Sequence, residues 1–134
     1  MKRIHCILFA VAVLLSAACS DKEPQLSAEQ QALSTAETLY EALYDGDYNT
    51  FLDGRIHASE MPESYRKALI TNFKQYVAKA KSQHGGVSAI KGSRAQMDTL
   101  LHIMQVYLLL HYKDSVTEEI VVPMVDDDGT WKMK

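Results

Sequence analysis

Leu100-Leu-His-Ile-Met-Gln-Val-Tyr-Leu-Leu-Leu-His-Tyr112 is the stretch whose reading decides the fold. Outside the N-terminus it is the chain's only long apolar run. Apolar residues fall at both odd and even positions, so as a strand it is greasy on both faces, the pattern of a central strand covered on each side. His102, Gln105 and His111 interrupt it, and it is far short of the roughly 20 apolar residues of a membrane span. Two turns follow, Lys113-Asp-Ser-Val116 and Asp126-Asp-Asp-Gly129, and two further strands between and after them. Val87 to Met97 reads as a weaker, polar strand interrupted by Gly92.

Helices precede these strands. Ser27-Ala-Glu-Gln30 has the form of a capping box, in which Ser27 and Gln30 each satisfy the other's backbone N–H. The helix it opens carries Leu33, Ala36, Tyr40 and Leu43 at helical spacing, flanked by Leu39 and Tyr44, and Gly46 ends it. Tyr48 to Leu52 reads as one more turn. A longer helix starts at Pro62, with Tyr65, Leu69, Phe73, Tyr76 and Ala80 as its buried stripe, and ends at His84-Gly-Gly86. The expected fold class is α+β: N-terminal helices packed on a curved antiparallel β-sheet, in one domain.

The first 18 residues read as a leader and are set apart from the fold. Lys2 and Arg3 are followed by the apolar run Ile7–Leu15, then Ser16-Ala17-Ala18 and Cys19. This resembles a bacterial lipobox, with Ser16 where Leu is usual and Leu15 one place earlier. The resemblance implies that Cys19 is lipidated, that residues 1–18 are removed, and that residues 19–27 are a lipid-anchored tether to a domain at 28–134. Seven tether residues span about 25 Å at full extension, which keeps the domain close to the membrane surface. Ser20 resembles the residue that lets such proteins pass to the outer membrane of a Gram-negative cell envelope. Removing the leader takes two of the 14 basic side chains and none of the 17 acidic ones, moving the formal net charge from −3 to −5. That charge argues against nucleic acid or an anionic lipid surface as a partner, since both need a basic field. Cys6 leaves with the leader, so the domain has no disulfide.

If Tyr112 pairs with Thr117 and Val125 with Thr130, then Gln105, Tyr107, Leu109 and His111 share a face with Ile120, Val122, Met124, Trp131 and Met133. That face, with Trp131 and most of the hydrogen-bonding groups, is expected to meet the helices. Tyr40, Tyr44, Gln105, Tyr107, His111 and Trp131 then become candidate pocket-lining residues. Val106, Leu108 and Leu110 fall on the opposite face, where a homodimer or another protein partner would cover them. One residue more or less in a loop swaps these sets.

The order of elements, together with Ala36-Glu-Thr-Leu-Tyr-Glu-Ala-Leu43, Gly46-Asp-Tyr48, Gly85-Gly-Val87 and the ending Glu118-Glu-Ile-Val-Val-Pro-Met-Val125, Asp128-Gly129 and Trp131-Lys-Met133, resembles the nuclear-transport-factor-2-like superfamily, the cystatin-like cone. Within it the chain looks like small exported lipoproteins carrying a domain of unknown function. That superfamily holds isomerases, dehydratases, carriers and interaction modules, so the fold alone does not imply an activity. Its enzymes place a buried Asp or His beside tyrosines in the cone. Here every Asp falls in the tether, a turn or a loop. His102 and His111, nine residues apart, lie on opposite faces, and only Glu118 stands as an orienting carboxylate, opposite His111. His57, His84, His102 and His111 show no metal-ligand spacing, and Asp126–Asp128 lack the alternating ligands of a calcium loop. No cofactor is implied and catalysis is not expected. The leading expectation is a lipid-anchored binding or interaction module of the cell envelope. A carrier of a small apolar ligand in the cone is the second, and an isomerase- or dehydratase-like enzyme the third.

Overall fold

The computed structural model describes residues 24–134. The leader, Cys19 and most of the tether lie outside the described residues. Three α-helices precede four strands: α1 (Ala28–Asp45), α2 (Tyr48–Asp53), α3 (Glu63–His84), β1 (Val87–Asp98), β2 (Ile103–Tyr112), β3 (Thr117–Asp127) and β4 (Thr130–Met133), with a 3₁₀ turn at Ala58–Glu60. The strands form one antiparallel sheet in chain order. No helix among the described residues is long and apolar enough to cross a membrane.

Local signals hold where they were read. Gln30 N donates to Ser27 Oγ at 3.2 Å and Ser27 N to Gln30 Oε1 at 3.1 Å, closing the capping box. Gly46 ends α1 at φ 86°, a left-handed conformation that glycine adopts without steric cost. Ala32, Ala36, Leu39 and Leu43 are the buried centre of α1, with Leu33, Tyr40 and Tyr44 at its margins. Gly92 lets α1 lie down on β1: a Cβ there would stand 2.3 Å from Leu33 Cδ2. β1 bulges between Gly92 and Arg94, and the Gly92 N–H donates to the Glu37 carboxylate of α1.

The expected face assignment is reversed, and a turn is the reason. The β2–β3 loop has three residues, Lys113–Ser115, not four. Ser115 N donates to Tyr112 O (3.2 Å), Tyr112 N to Val116 O (2.9 Å), and Ser115 takes φ 71°, the three-residue hairpin that ends in a left-handed bulge. His111, not Tyr112, therefore faces Thr117, and the side chains of β2 exchange faces. The β3–β4 loop has two residues, Asp128 (φ 51°) and Gly129 (φ 88°), with Asp127 facing Thr130. That is two fewer than expected, so parity holds and Trp131 and Met133 stay on the face of Val122 and Met124.

Val106, Leu108 and Leu110 are consequently not an interface. They are fully buried against the helices, together with Met104 and Met124. Gln105, Tyr107 and His111 leave the core for the outer face, where the Arg94 guanidinium lies 3.5 Å from the centre of the Tyr107 ring. With Val106, Leu108 and Leu110 in the core, the outer face lacks the apolar strip that a partner would cover. Leu100 and Leu101 belong to the β1–β2 turn, not to the central strand, and His102 stands in that turn at φ 52°.

The stripe of α3 is also shallower than its periodicity predicts. Only Ala80 is buried, Leu69, Phe73 and Val77 are half-buried, and Tyr65 and Tyr76 are 52% and 45% exposed. Four strands are largely covered by α1, so α3 leans on α2 and the flank of α1 and meets the sheet along β1 and, at its C-terminal end, at Tyr112 of β2. Edge-to-face contacts join Tyr40 to Phe51 (5.2 Å) and Phe51 to Phe73 (5.0 Å), and Arg66 Nη2 bonds Asp53 Oδ1 at 2.8 Å. The segment after α2 covers the β4 edge through Ile56 N to Met133 O and Met133 N to Gly54 O, both 2.8 Å.

Candidate functional site

The end of α3 and the β2–β3 turn meet because backbone groups tie them. Gly85 (φ 77°) closes α3 by donating to Lys81 O at 3.0 Å, and Lys113 N donates to Gly86 O at 2.9 Å. A side chain at residue 85 would fall 3.5 Å from Lys113 Cβ. The tie brings His84 to the turn, 30 residues on in sequence. His84 Nδ1 lies 2.7 Å from Asp114 Oδ2, and its ring stacks on Tyr112 at 4.3 Å and 25°. The Tyr112 hydroxyl donates to Glu118 Oε2 at 2.7 Å. Tyr76, Lys79, Ala80, Gln83, His84, Tyr112 and Glu118 line the resulting cleft of about 190 Å³. Tyr44 packs against Tyr76 with ring centres 6.0 Å apart, and its hydroxyl is buried with no hydrogen-bond partner among the described residues.

Burial holds the phenols around the cleft in their protonated form. Burial, then the neighbouring Tyr76 and Tyr112, raise the Tyr44 phenol well above its ordinary value. Burial, then the bond to Glu118, do the same for Tyr112. Burial, with Tyr76 nearby, pushes Tyr40 up to about 12. These phenols stay protonated, and that of Tyr112 donates to Glu118. The bond from His84 lowers the Asp114 carboxyl, helped by the Val116 backbone N–H. Among the described residues no group of three or more His, Cys, Asp or Glu is placed to hold a metal.

A pH dependence follows. A phenol whose folded pKa is raised contributes stability that is complete below its ordinary value of 10.0 and is lost as pH rises through the folded value. Urea midpoints should therefore be insensitive to these groups up to about pH 10 and fall above it. In absorbance at 295 nm, Tyr40, Tyr44 and Tyr112 should ionise only as the protein unfolds. All seven tyrosines titrating together near 10 in the folded state would contradict these burials.

Of the six expected lining residues, Tyr44 alone reaches this cluster. Tyr40 faces Phe51, Trp131 is buried under the start of α1, and Gln105, Tyr107 and His111 stand across the sheet. The expected pair of Glu118 and His111 does not form: His111 Nδ1 meets Thr117 Oγ1 at 3.1 Å, while Glu118 turns to Tyr112. Tyr76, His84, Tyr112 and Asp114 were missed because three elements contribute them. The usable signal was local: the Gly-Gly end of α3 and the short Lys-Asp-Ser turn each force a close approach.

No protein-family model matches the chain, and no curated protein matches it. Its structure is similar to a crystal structure from Campylobacter jejuni that carries the provisional description NTF2-like transpeptidase. The TM-score is 0.58 at 18% identity, over 75% of this chain and 94% of that one. At this identity the likeness shows the fold alone: an NTF2-like α+β cone of helices on a curved antiparallel sheet.

Proposed function

We propose that a chain with this NTF2-like fold serves as a lipid-anchored binding module of a Gram-negative cell envelope, without catalysis of its own, and that it meets a protein partner along α3 and the cleft at its C-terminal end. The observation that carries this reading is the exposed aromatic row of α3 above a filled cone. Tyr65 and Tyr76, both about half exposed, are 11 residues apart, three helical turns, and so stand on one face. That row runs into the cleft, where Tyr76, Lys79, Gln83, His84 and Glu118 offer both signs of charge and several donors. Tyrosine-rich patches ringed by polar groups suit protein recognition.

A carrier needs an empty cone. Leu43, Met104, Val106, Leu108, Leu110 and Met124 fill it, each at 2% exposure or less, and Tyr107, one of its proposed lining residues, is on the other side of the sheet. The transpeptidase description of the Campylobacter jejuni protein has no counterpart to build on. Residues 24–134 contain no cysteine. Among the described residues the one threonine hydroxyl against a histidine, Thr117 on His111, is exposed, and no carboxylate bonds that histidine.

The anchor rests on Ile7–Leu15 and Ser16-Ala-Ala-Cys19, and Ser20 directs it to the outer membrane. Intact mass of membrane-extracted protein is expected to show loss of residues 1–18 and a diacylglycerol thioether on Cys19, and Cys19→Ala should release the chain from membranes. A free thiol at Cys19 in the membrane fraction would overturn the anchor.

A further inference from the structure

We infer that the β1–β2 turn is a second membrane contact, in which Leu100 and Leu101 enter the lipid surface beside the N-terminal anchor. The inference rests on the lipid-anchored reading of Cys19. Leu100 is 91% exposed and Leu101 62%, with Met97 beside them at 39%. Surface turns are ordinarily polar, and a pair of leucines at the tip of one leaves apolar area in water. The turn cannot fold them away. Asp98 Oδ1 accepts from the N–H groups of both Leu100 and Leu101 at 3.0 Å, and His102 holds the left-handed position at φ 52°.

The fold puts this tip at the end of the domain from which the chain leaves α1 towards residues 19–26. α1 runs antiparallel to β1: its C-terminal residues Glu41, Tyr44 and Asp45 sit beside Val87–Ile90, and Leu33 sits beside Gly92. From Gly92 the strand runs six residues to Asp98, about 20 Å at about 3.3 Å each. From Leu33 the helix runs six residues back to Ser27, about 9 Å at about 1.5 Å each. The turn therefore stands about 10 Å beyond the point where the chain leaves α1 for residues 19–26. Leu26, 54% exposed, starts that exit. A tether reaching at most about 25 Å from Leu26 back to Cys19 keeps the tip within range of the bilayer.

The chemistry specifies the lipid contact. The β3–β4 turn at the same end carries Asp126, Asp127 and Asp128, of which Asp127 is paired with Lys132 at 3.3 Å. An acidic neighbour repels anionic headgroups, so insertion is apolar, needs no anionic lipid and, into a zwitterionic surface, is insensitive to salt.

The test uses the full chain as the cell processes it, reconstituted in phosphatidylethanolamine–phosphatidylcholine vesicles. An environment-sensitive fluorophore is attached at Thr99→Cys in the turn or at Ser115→Cys at the opposite end. Lipid-borne nitroxide is expected to quench the label at residue 99 roughly threefold more than that at 115, with no effect of salt, and Leu100→Ser with Leu101→Ser should remove the difference. Equal quenching at both ends overturns the inference, as does a label at 99 already shielded before vesicles are added, which marks a protein contact. Intact mass of the same sample reports Cys19 separately. If Cys19 proves unlipidated, the Cys19→Ser chain mixed with vesicles decides the turn alone: selective quenching at 99 upholds it, and its absence ends it.

Discussion

Leu108→Glu is expected to unfold the protein. Leu108 is fully buried at the middle of β2, with Gly92 facing it from β1 and Ile120 from β3. Truncating such a leucine to alanine costs about 2–5 kcal/mol, and a carboxylate left there without a partner costs more, against a total domain stability of about 5–15 kcal/mol. No polar or charged side chain is buried among the described residues. Val121→Glu is the matched control: one strand over, on the outer face and 49% exposed, it should change stability by no more than about 0.5 kcal/mol. Circular dichroism of both variants reads the contrast. A Leu108→Glu variant that stays as well folded as Val121→Glu would return Leu108 to the outer face.

Trp131→Ala should be the most damaging truncation in β4, at about 3–5 kcal/mol. Trp131 is 8% exposed and lies beneath the first turns of α1, near Gln31, Ser34 and Thr35. Its loss opens a cavity where a four-residue strand holds the helix, and that strand is too short to close over it. The shift of the urea midpoint, followed by circular dichroism because the only tryptophan is gone, measures the cost. A loss below about 1 kcal/mol would place the indole at the surface.

These two residues also mark where the sequence could and could not be read. The sequence places Trp131 on the helix-facing side, where it lies, because an error of two residues in the β3–β4 loop leaves parity unchanged. Leu108 is misplaced by the same reading, because one residue in the β2–β3 loop inverts its face. The three-residue loop depends on Ser115 accepting φ 71°, and a serine carries no such mark, whereas Gly46 and Gly85 announced their left-handed caps. Helix caps, element order and fold class are local or cumulative signals and were legible. The depth of α3 was not. Periodicity shows which face of a helix is apolar, not how much sheet remains for it to cover once α1 is in place. The cleft was illegible for a third reason: His84 finds Asp114, and Tyr112 finds Glu118, only after the end of α3 is bound to the turn.

The claim that α3 and its cleft are the contact surface is tested most directly by photo-crosslinking in the cell. A photoreactive phenylalanine analogue at Tyr76 samples the cleft, and the same group at Tyr107 samples the outer sheet face. The account predicts a discrete crosslinked envelope protein from position 76, diminished by Lys79→Glu in a chain that remains folded, and none from position 107. Crosslinks from 107 with none from 76 would contradict it and return the contact to the outer face of the sheet.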